Sequence, residues 1–327
     1  MRLLVLVAFA SIAVAQPAFA KQKKPVRPPP ETSAQSAAAM GEAARYLDAI
    51  KRLDDDPAGP RLNAVVAINP DAVRQAGEQA TKGVLKGRTV LVKDNIETRE
   101  FPTTAGSLAL ADNRTGRDAP VVARVRAEGG VVLGKTNLSE WANIRGSSSS
   151  SGWSAVGGQT KNPHAIDRSP CGSSSGSGAA IAAGMAWGAI GTETDGSITC
   201  PASANGIVGF KPTVGLVSRT WIVPISASQD TAGPMTRSVA DAALLLTAMQ
   251  IFISLQDGKD DAKFRATQTA QIERMATALE MAAQALGSNE PTRANQVGQS
   301  TQEGTRSQAG TKNRKDRRAE AAQNRRK

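Results

Sequence analysis

The sequence has few of the residues that build metal sites, and too few cysteines for a disulfide-rich scaffold. It contains one histidine, His164, and two cysteines, Cys171 and Cys200. A zinc site needs more thiolate or imidazole ligands, at closer spacing, than these three residues offer, so no metal site is predicted. Whether the two cysteines pair stays open, because pairing depends on their distance in the fold. A Ser-His-Asp enzyme would depend on His164 alone.

Net positive charge is absent from the middle of the chain. Residues 21–30 and 312–327, together with Arg2, account for the whole net charge of +11, so that residues 31–311 are neutral overall. A nucleic-acid-binding domain usually has its basic patch on the folded body, and no nucleic-acid partner is therefore predicted. A basic tail that binds RNA or anionic lipid stays an alternative, which salt-dependent binding would test.

The N-terminus has the pattern of a secretory signal peptide. Arg2 precedes an apolar run at residues 3–14, and Ala18-Phe19-Ala20 has the form of a cleavage site. The run is too short to cross a bilayer core of about 30 Å. We expect residues 1–20 to be removed and the chain to be exported, to the periplasm or outside the cell, with no membrane span. A buried N-terminal helix is the alternative.

The rest of the chain divides by composition into three parts. Residues 21–40 form a basic, Pro-rich segment that we expect to be flexible, residues 41–250 contain the folded domain, and residues 251–327 form a polar, basic tail, disordered or partly helical. Apolar β-branched runs at 89–92 and 131–133 flank a helical pattern at 119–128, which predicts an α/β fold. Helices are also predicted at 179–189 and 239–249.

One motif has the pattern of a nucleotide-binding loop, but the residues at its centre argue against that function. Residues 129–136 fit the pattern G-x-x-x-x-G-K-[ST]. A phosphate cradle needs loop backbone whose N–H groups converge on the anion. The central Val131, Val132 and Leu133 favour extended strand instead. We interpret the segment as a buried strand.

One lysine and two serines are the residues best suited to nucleophilic catalysis. Lys93 follows an apolar strand, where lost hydration would lower its pKa and make it a base. Ser173 and Ser197 lie in Gly-rich loops that let the backbone approach closely. A serine needs an adjacent base, and with a single histidine the plausible base is lysine. Each residue has an alternative interpretation. Lys93 would face solvent, the loop of Ser173 would be a Gly/Ser linker, and Ser197 would lie in an ordinary Asp-Gly-Ser turn.

Several blocks of this chain, in order, resemble the signature of the amidase signature family, and most of all its peptide amidase branch. The blocks lie at 92–95, 134–140, 171–180, 191–198, 200–202, 206–219 and 228–235. The resemblance extends over about residues 61–249, and members of the family continue well beyond the last block. It implies a mixed, twisted β-sheet covered by helices on both faces, truncated in this chain.

The resemblance also implies roles for individual residues. Ser197 would be the nucleophile, Ser173 a bridging serine after a cis peptide bond, and Lys93 the base. Asp230 would contact the catalytic residues and hold them in place, without contacting the substrate. The oxyanion hole would be formed by the backbone of Thr194, Asp195, Gly196 and Ser197, and the substrate side would be lined by Ser148, Ser149 and Ser150.

The implied activity is hydrolysis of a carboxylic or peptide C-terminal amide to the acid and ammonia, through an acyl-enzyme and without a cofactor. The only partner expected is the small amide or short peptide amide. Two alternatives stay open: a truncated, catalytically inactive fragment of the family, and the glutaminyl-tRNA-type amidotransferase subunit. The predicted signal peptide argues against the second, which works in the cytoplasm.

Overall fold

A computed structural model of the chain describes residues 31–144, 146 and 149–250, and only the backbone of residues 31–33. The predicted signal peptide, the segment at 21–30 and the tail at 251–327 lie outside the described residues. No helix within the described ranges has both the length and the hydropathy that a membrane span requires.

The described part is built on a mixed six-stranded sheet. The six strands are β1 (Val65–Ile68), β2 (Thr89–Lys93), β3 (Val131–Thr136), β6 (Gly188–Glu193), β7 (Val208–Gly209) and β8 (Thr231–Thr236), and a separate hairpin contains β4 (Trp153–Ser154) and β5 (Gly158–Gln159). The order in the sheet is β1-β3-β2-β6-β8-β7. Strand β2 runs parallel to both β3 and β6, and the outer pairings are antiparallel. The predicted mixed sheet is confirmed.

Six α-helices flank this sheet. They are α1 (Glu31–Ile50), α2 (Ala72–Gln79), α3 (Pro120–Ala127), α4 (Ser175–Ala182), α5 (Thr199–Ala204) and α6 (Val239–Met249). Strands β2 and β3 are buried along their whole length, which explains why the sequence contains them as continuous apolar runs. The motif at 129–136 lies largely in β3, as the strand interpretation predicted.

Two predicted segments differ from the structure. The helix predicted at 179–189 ends at Ala182, because Gly184 adopts a left-handed φ of 71° and the chain then enters β6 at Gly188. The small apolar residues there suit a buried strand as well as a buried helix. Helix α1 begins at Glu31, inside the segment predicted to be flexible, and the Ser36 hydroxyl donates to Gly77 O of α2.

Helix α4 packs unusually close to the sheet at its N-terminus. Gly176 N donates to Asn137 O, just beyond the end of β3, at 3.1 Å. A Cβ at Gly176 would collide with Ala64 O and with the Asn137 backbone. Glycine is therefore required here. The close approach places the loop before α4, which contains Ser173, at the C-terminal edge of β2 and β3.

Candidate active site

Lys93 is the last residue of β2 and is completely buried. Its Nζ lies 2.8 Å from Ser173 Oγ, 2.9 Å from Thr192 Oγ1 and 3.2 Å from Thr192 O. All three partner atoms are uncharged. The structure thus brings together two of the three predicted catalytic side chains, and the solvent-facing alternative for Lys93 is wrong.

The environment of Lys93 favours its uncharged form. Burial lowers the pKa of Lys93 from 10.5 to about 7, against the opposing effects of Glu193 and Asp230. Desolvation dominates because the ammonium would lose its hydration without gaining a contact ion pair. A large fraction of the amine is therefore neutral near pH 7.

Ser173 lies in the loop that precedes α4, and its side chain is fully buried. The peptide bond between Gly172 and Ser173 is cis, as the resemblance implied. Neighbouring residues link this loop to the loop of Ser197: Ser174 N donates to Ser197 O at 3.1 Å, and Ser174 Oγ donates to Thr192 O at 3.1 Å. The two serine loops are therefore held side by side through their backbones.

Ser197 is half-buried and lies just before α5. Within the described residues its hydroxyl makes no hydrogen bond, either to Ser173 or to another group. Catalytic hydrogen bonds are often absent or long before a substrate binds, and a serine hydroxyl turns readily about χ1. The Ser197 hydroxyl is thus available to a ligand.

A disulfide joins the two serine loops a second time. Cys171 and Cys200 are paired, with Cα atoms 5.9 Å apart and a sequence separation of 29. Cys171 lies two residues before Ser173, and Cys200 lies three residues after Ser197. This pairing resolves the question that the sequence left open. The ring of His164 lies elsewhere and forms a hydrogen bond with Asn205 O.

We expect the disulfide to stabilise the fold substantially. Closing a loop of this length removes denatured-state entropy worth about 3.5 kcal/mol. Urea unfolding with and without dithiothreitol should therefore differ by about that free energy, and a Cys171→Ser/Cys200→Ser variant should be insensitive to the reductant. Two titratable thiols in the unreduced, denatured protein would contradict the pairing.

The predicted oxyanion loop is held by charged side chains behind it. The Thr194 hydroxyl donates to Asp230 Oδ1 at 2.6 Å, and Lys211 Nζ donates to Thr194 O at 2.6 Å. Asp230 also accepts from the backbone N–H groups of residues 225 and 226. Among the described residues, the N–H groups of Asp195 and Ser197 have no acceptor, so both could bind an anionic oxygen.

Glu193 fixes the other side of this loop. Its Oε2 accepts from Ile198 N at 2.7 Å and from Thr199 N at 2.9 Å. Burial acts to raise the pKa of Glu193, but the N–H groups of Thr199, Ile198 and Gly196 and the nearby Lys211 outweigh it and lower that pKa. The Gly196 N–H is therefore partly engaged by this carboxylate, unlike those of Asp195 and Ser197.

The segment predicted to line the substrate side lies near the cis peptide bond. Ser148 is outside the described residues. Ser149 and Ser150 are exposed, and their hydroxyls donate to Gly146 O and Gln159 Oε1. The following residue, Ser151, lies close to Gly172. If Gly172 had a Cβ atom, that atom would lie 3.4 Å from the Cβ of Ser151.

Sequence reasoning missed two residues that contact this network. Thr192 contacts Lys93 through both its hydroxyl and its carbonyl, and Asn95 Nδ2 donates to Thr192 Oγ1 at 2.9 Å. Both lie within motif blocks that the resemblance identified, next to residues that received roles. The hydrogen bond between Asn95 and Thr192 depends on the parallel pairing of β2 with β6, which brings together residues about a hundred positions apart in the sequence.

A cleft opens beside Lys93 and the oxyanion loop. Its volume is about 510 Å³. Its polar lining includes Asn95, Thr192, Thr194 and Asp230. Its apolar lining includes Val217, Ile222, Val223, Pro224 and Ile225. The cleft can hold a small molecule that has both apolar and hydrogen-bonding groups.

Comparison with known proteins places this arrangement in a family. A model of the Amidase family matches residues 45–289, a longer span than predicted. A probable amidase of Arabidopsis thaliana is 49% identical over 214 residues, which cover 62% of this chain and 41% of that protein. The chain thus spans less than half the length of that relative.

Solved structures agree with this placement. Native peptide amidase from Stenotrophomonas maltophilia is 52% identical, with a TM-score of 0.63, and the match covers 79% of this chain and 49% of that one. An amidase family protein from Bacillus anthracis is 42% identical, with a TM-score of 0.63 and coverages of 66% and 44%. Since the family model matches most of the sequence, this chain belongs to the Amidase family.

Proposed function

We propose that this chain hydrolyses a carboxylic amide or a peptide C-terminal amide to the acid and ammonia, through a Ser-Ser-Lys relay and an acyl-enzyme. One observation carries the proposal: a completely buried lysine amine lies 2.8 Å from the hydroxyl of Ser173. A lysine without hydration and without a contact ion pair is suited to act as a base rather than as a fixed charge.

The relay starts from the neutral amine of Lys93. Lys93 takes the proton of Ser173 while Ser173 takes the proton of Ser197, so that Ser197 Oγ can attack the amide carbonyl. This step requires Ser197 Oγ to come within hydrogen-bond distance of Ser173 Oγ once the substrate is bound. The hydrogen bond from Ser174 N to Ser197 O, at 3.1 Å, holds the two loops together and so supports this approach.

The oxyanion that forms would be stabilised by the loop after β6. The unpaired N–H groups of Asp195 and Ser197 can donate to it. The backbone of Thr194 and Gly196 would complete the hole, although the Gly196 N–H is shared with the Glu193 carboxylate. Preorganised donors of this kind lower the barrier because they need no reorientation during the reaction. Ser173 and Lys93 then return the proton to the leaving ammonia, and water hydrolyses the acyl-enzyme by the same relay.

A serine-directed phosphonate probe tests this function directly. We expect a fluorophosphonate to label the intact protein once, at Ser197, and the protein to release ammonia from an N-acetylated amino-acid amide. Ser197→Ala should abolish both results. Ser203→Ala is the matched control, because Ser203 is an exposed serine on the adjacent helix α5 and should not affect labelling.

The opposite result would favour the alternative function. A protein with native circular dichroism that reacts with neither the probe nor the amide would be a non-catalytic member of the family. Labelling that persists in Ser197→Ala would assign the nucleophile to another residue.

We also propose that the chain is exported, as the signal-peptide pattern predicts. The disulfide between Cys171 and Cys200 supports this, because such bonds persist in oxidising compartments and are rare in the cytosol.

A further inference from the structure

Asn95 is a buried polar residue that lies in a block of the family signature but has received no role, either from the resemblance or in the proposed relay. It lies two residues beyond Lys93 and is 3% exposed. Its Nδ2 donates to Thr192 Oγ1 at 2.9 Å, and the same oxygen lies 2.9 Å from Lys93 Nζ. Its Oδ1 is buried and has no hydrogen-bond partner among the described residues. Asn95 is thus connected to the base through a single hydroxyl.

The unpaired oxygen argues against a purely structural role for Asn95. Buried polar atoms in folded proteins nearly always have a partner, because an unpaired one destabilises the native state. A leucine of similar size would avoid that loss. The Nδ2 group, in contrast, has a partner, Thr192 Oγ1, which also contacts the amine of Lys93.

The direction of the amide dipole indicates the role of this group. The N–H end donates to Thr192 Oγ1, the oxygen that also contacts Lys93 Nζ, whereas the carbonyl oxygen has no hydrogen-bond partner among the described residues. Thr192 Oγ1 already accepts from Asn95, which makes it a poorer acceptor for an ammonium. Both effects disfavour the charged form of Lys93. Thr192 O can only accept, so a neutral amine donates there and keeps its lone pair for the Ser173 proton.

We propose that Asn95, acting through Thr192, is a positioning residue that keeps Lys93 uncharged and therefore able to act as the base. This inference rests on the proposed amide hydrolysis. The carboxylates that act on Lys93 are Glu193 and Asp230, and both favour its charged form. Asp94, which directly follows Lys93, is neutralised by an ion pair with Lys135 of the neighbouring strand β3 at 3.1 Å. The Asn95 amide therefore opposes a negative field at Lys93.

Two variants of nearly the same shape separate this role from a structural one. Asn95→Asp places an anion where the N–H group was, and Asn95→Leu removes the dipole. We expect the acid limb of kcat/KM against pH to move up by at least one pH unit in Asn95→Asp and by less in Asn95→Leu. At pH 7, Asn95→Asp should lose at least about fivefold in kcat/KM, because a shift of one unit from a pKa near 7 leaves about a tenth of the amine neutral, and it should recover most of the loss at pH 9.

The position of the acid limb decides the question. A residue that only supports the fold would lower kcat/KM at every pH and leave the limb in place, so an unmoved limb in Asn95→Asp overturns the proposal. Asn69→Asp is the control, since Asn69 is equally buried but bonds to Val132 O, and its limb should match the wild type. A wild-type protein without amide hydrolysis would instead overturn the proposed function.

Discussion

Replacing Lys93 by methionine is expected to lower kcat/KM for amide hydrolysis by about 10³-fold, within the range known for the loss of a general base. Methionine matches the length of the lysine stem but cannot accept a proton from Ser173. The measurement is ammonia release at pH 8 from an N-acetylated amino-acid amide, with substrate concentrations that separate kcat from KM. The loss should fall on kcat, because Lys93 is completely buried and is not among the residues that line the cleft.

The same substitution should not unfold the protein. Lys93 has no contact ion pair, and its burial as a charge is unfavourable, so an apolar side chain there is expected to preserve or raise the free energy of unfolding. Lys135→Met is the matched control on the adjacent strand. It would leave the buried Asp94 carboxylate without its partner at 3.1 Å and should destabilise by about 3–5 kcal/mol. Equal losses of stability in both variants would contradict the assignment of Lys93 as an unpaired base.

The two lysines illustrate how far the sequence predicts this site. Each ends or nearly ends a buried β-branched strand, and local pattern alone treats them alike. Their difference comes from what the fold brings to them: Lys135 meets the Asp94 carboxylate, and Lys93 meets only hydroxyls and a carbonyl. The resemblance to a family identified Lys93, and the physical pattern by itself did not.

Strands were predictable where their composition is unambiguous. The runs that form β2 and β3 are rich in valine, and both were identified. The helix predicted at 179–189 overlaps only the first two residues of β6, Gly188 and Ala189, which are small and suit either structure. Strand β8 contains Gly233 and Pro234, which argue against a strand. It forms nevertheless, and Pro234 O accepts from Phe210 N across the sheet edge.

The contacts around Thr192 could not be predicted from local sequence. They require the register in which Val92 of β2 pairs with Ile190 of β6. A shift of one residue would turn Thr192 to the opposite face of the sheet. The register is set by packing of the whole core, so Asn95 and Thr192 become functional candidates only in the folded structure.

The second large effect is the pH dependence of the free energy of unfolding. Its sign follows from the direction in which folding shifts the pKa of Lys93. Burial lowers the pKa of Lys93 from 10.5 in the unfolded chain to about 7 in the folded one. Between these values the unfolded chain binds more protons, so stability due to this group is highest above pH 10.5 and is lost as the pH falls toward 7. The slope is about 1.4 kcal/mol per pH unit, and the full change is about 5 kcal/mol.

The difference in unfolding free energy between the wild type and Lys93→Met isolates this effect, because the other titrating groups are common to both proteins. We expect the difference to favour Lys93→Met increasingly from pH 10 down to pH 7 and to be constant below that. Over the same range, kcat/KM should have an acid limb near pH 7 and fall about tenfold per unit below it. Since one proton on one amine determines both curves, the pH at which the stability difference levels off should coincide with the midpoint of the acid limb. Parallel stability curves for the two proteins would show that Lys93 is solvated and charged, and thus no base.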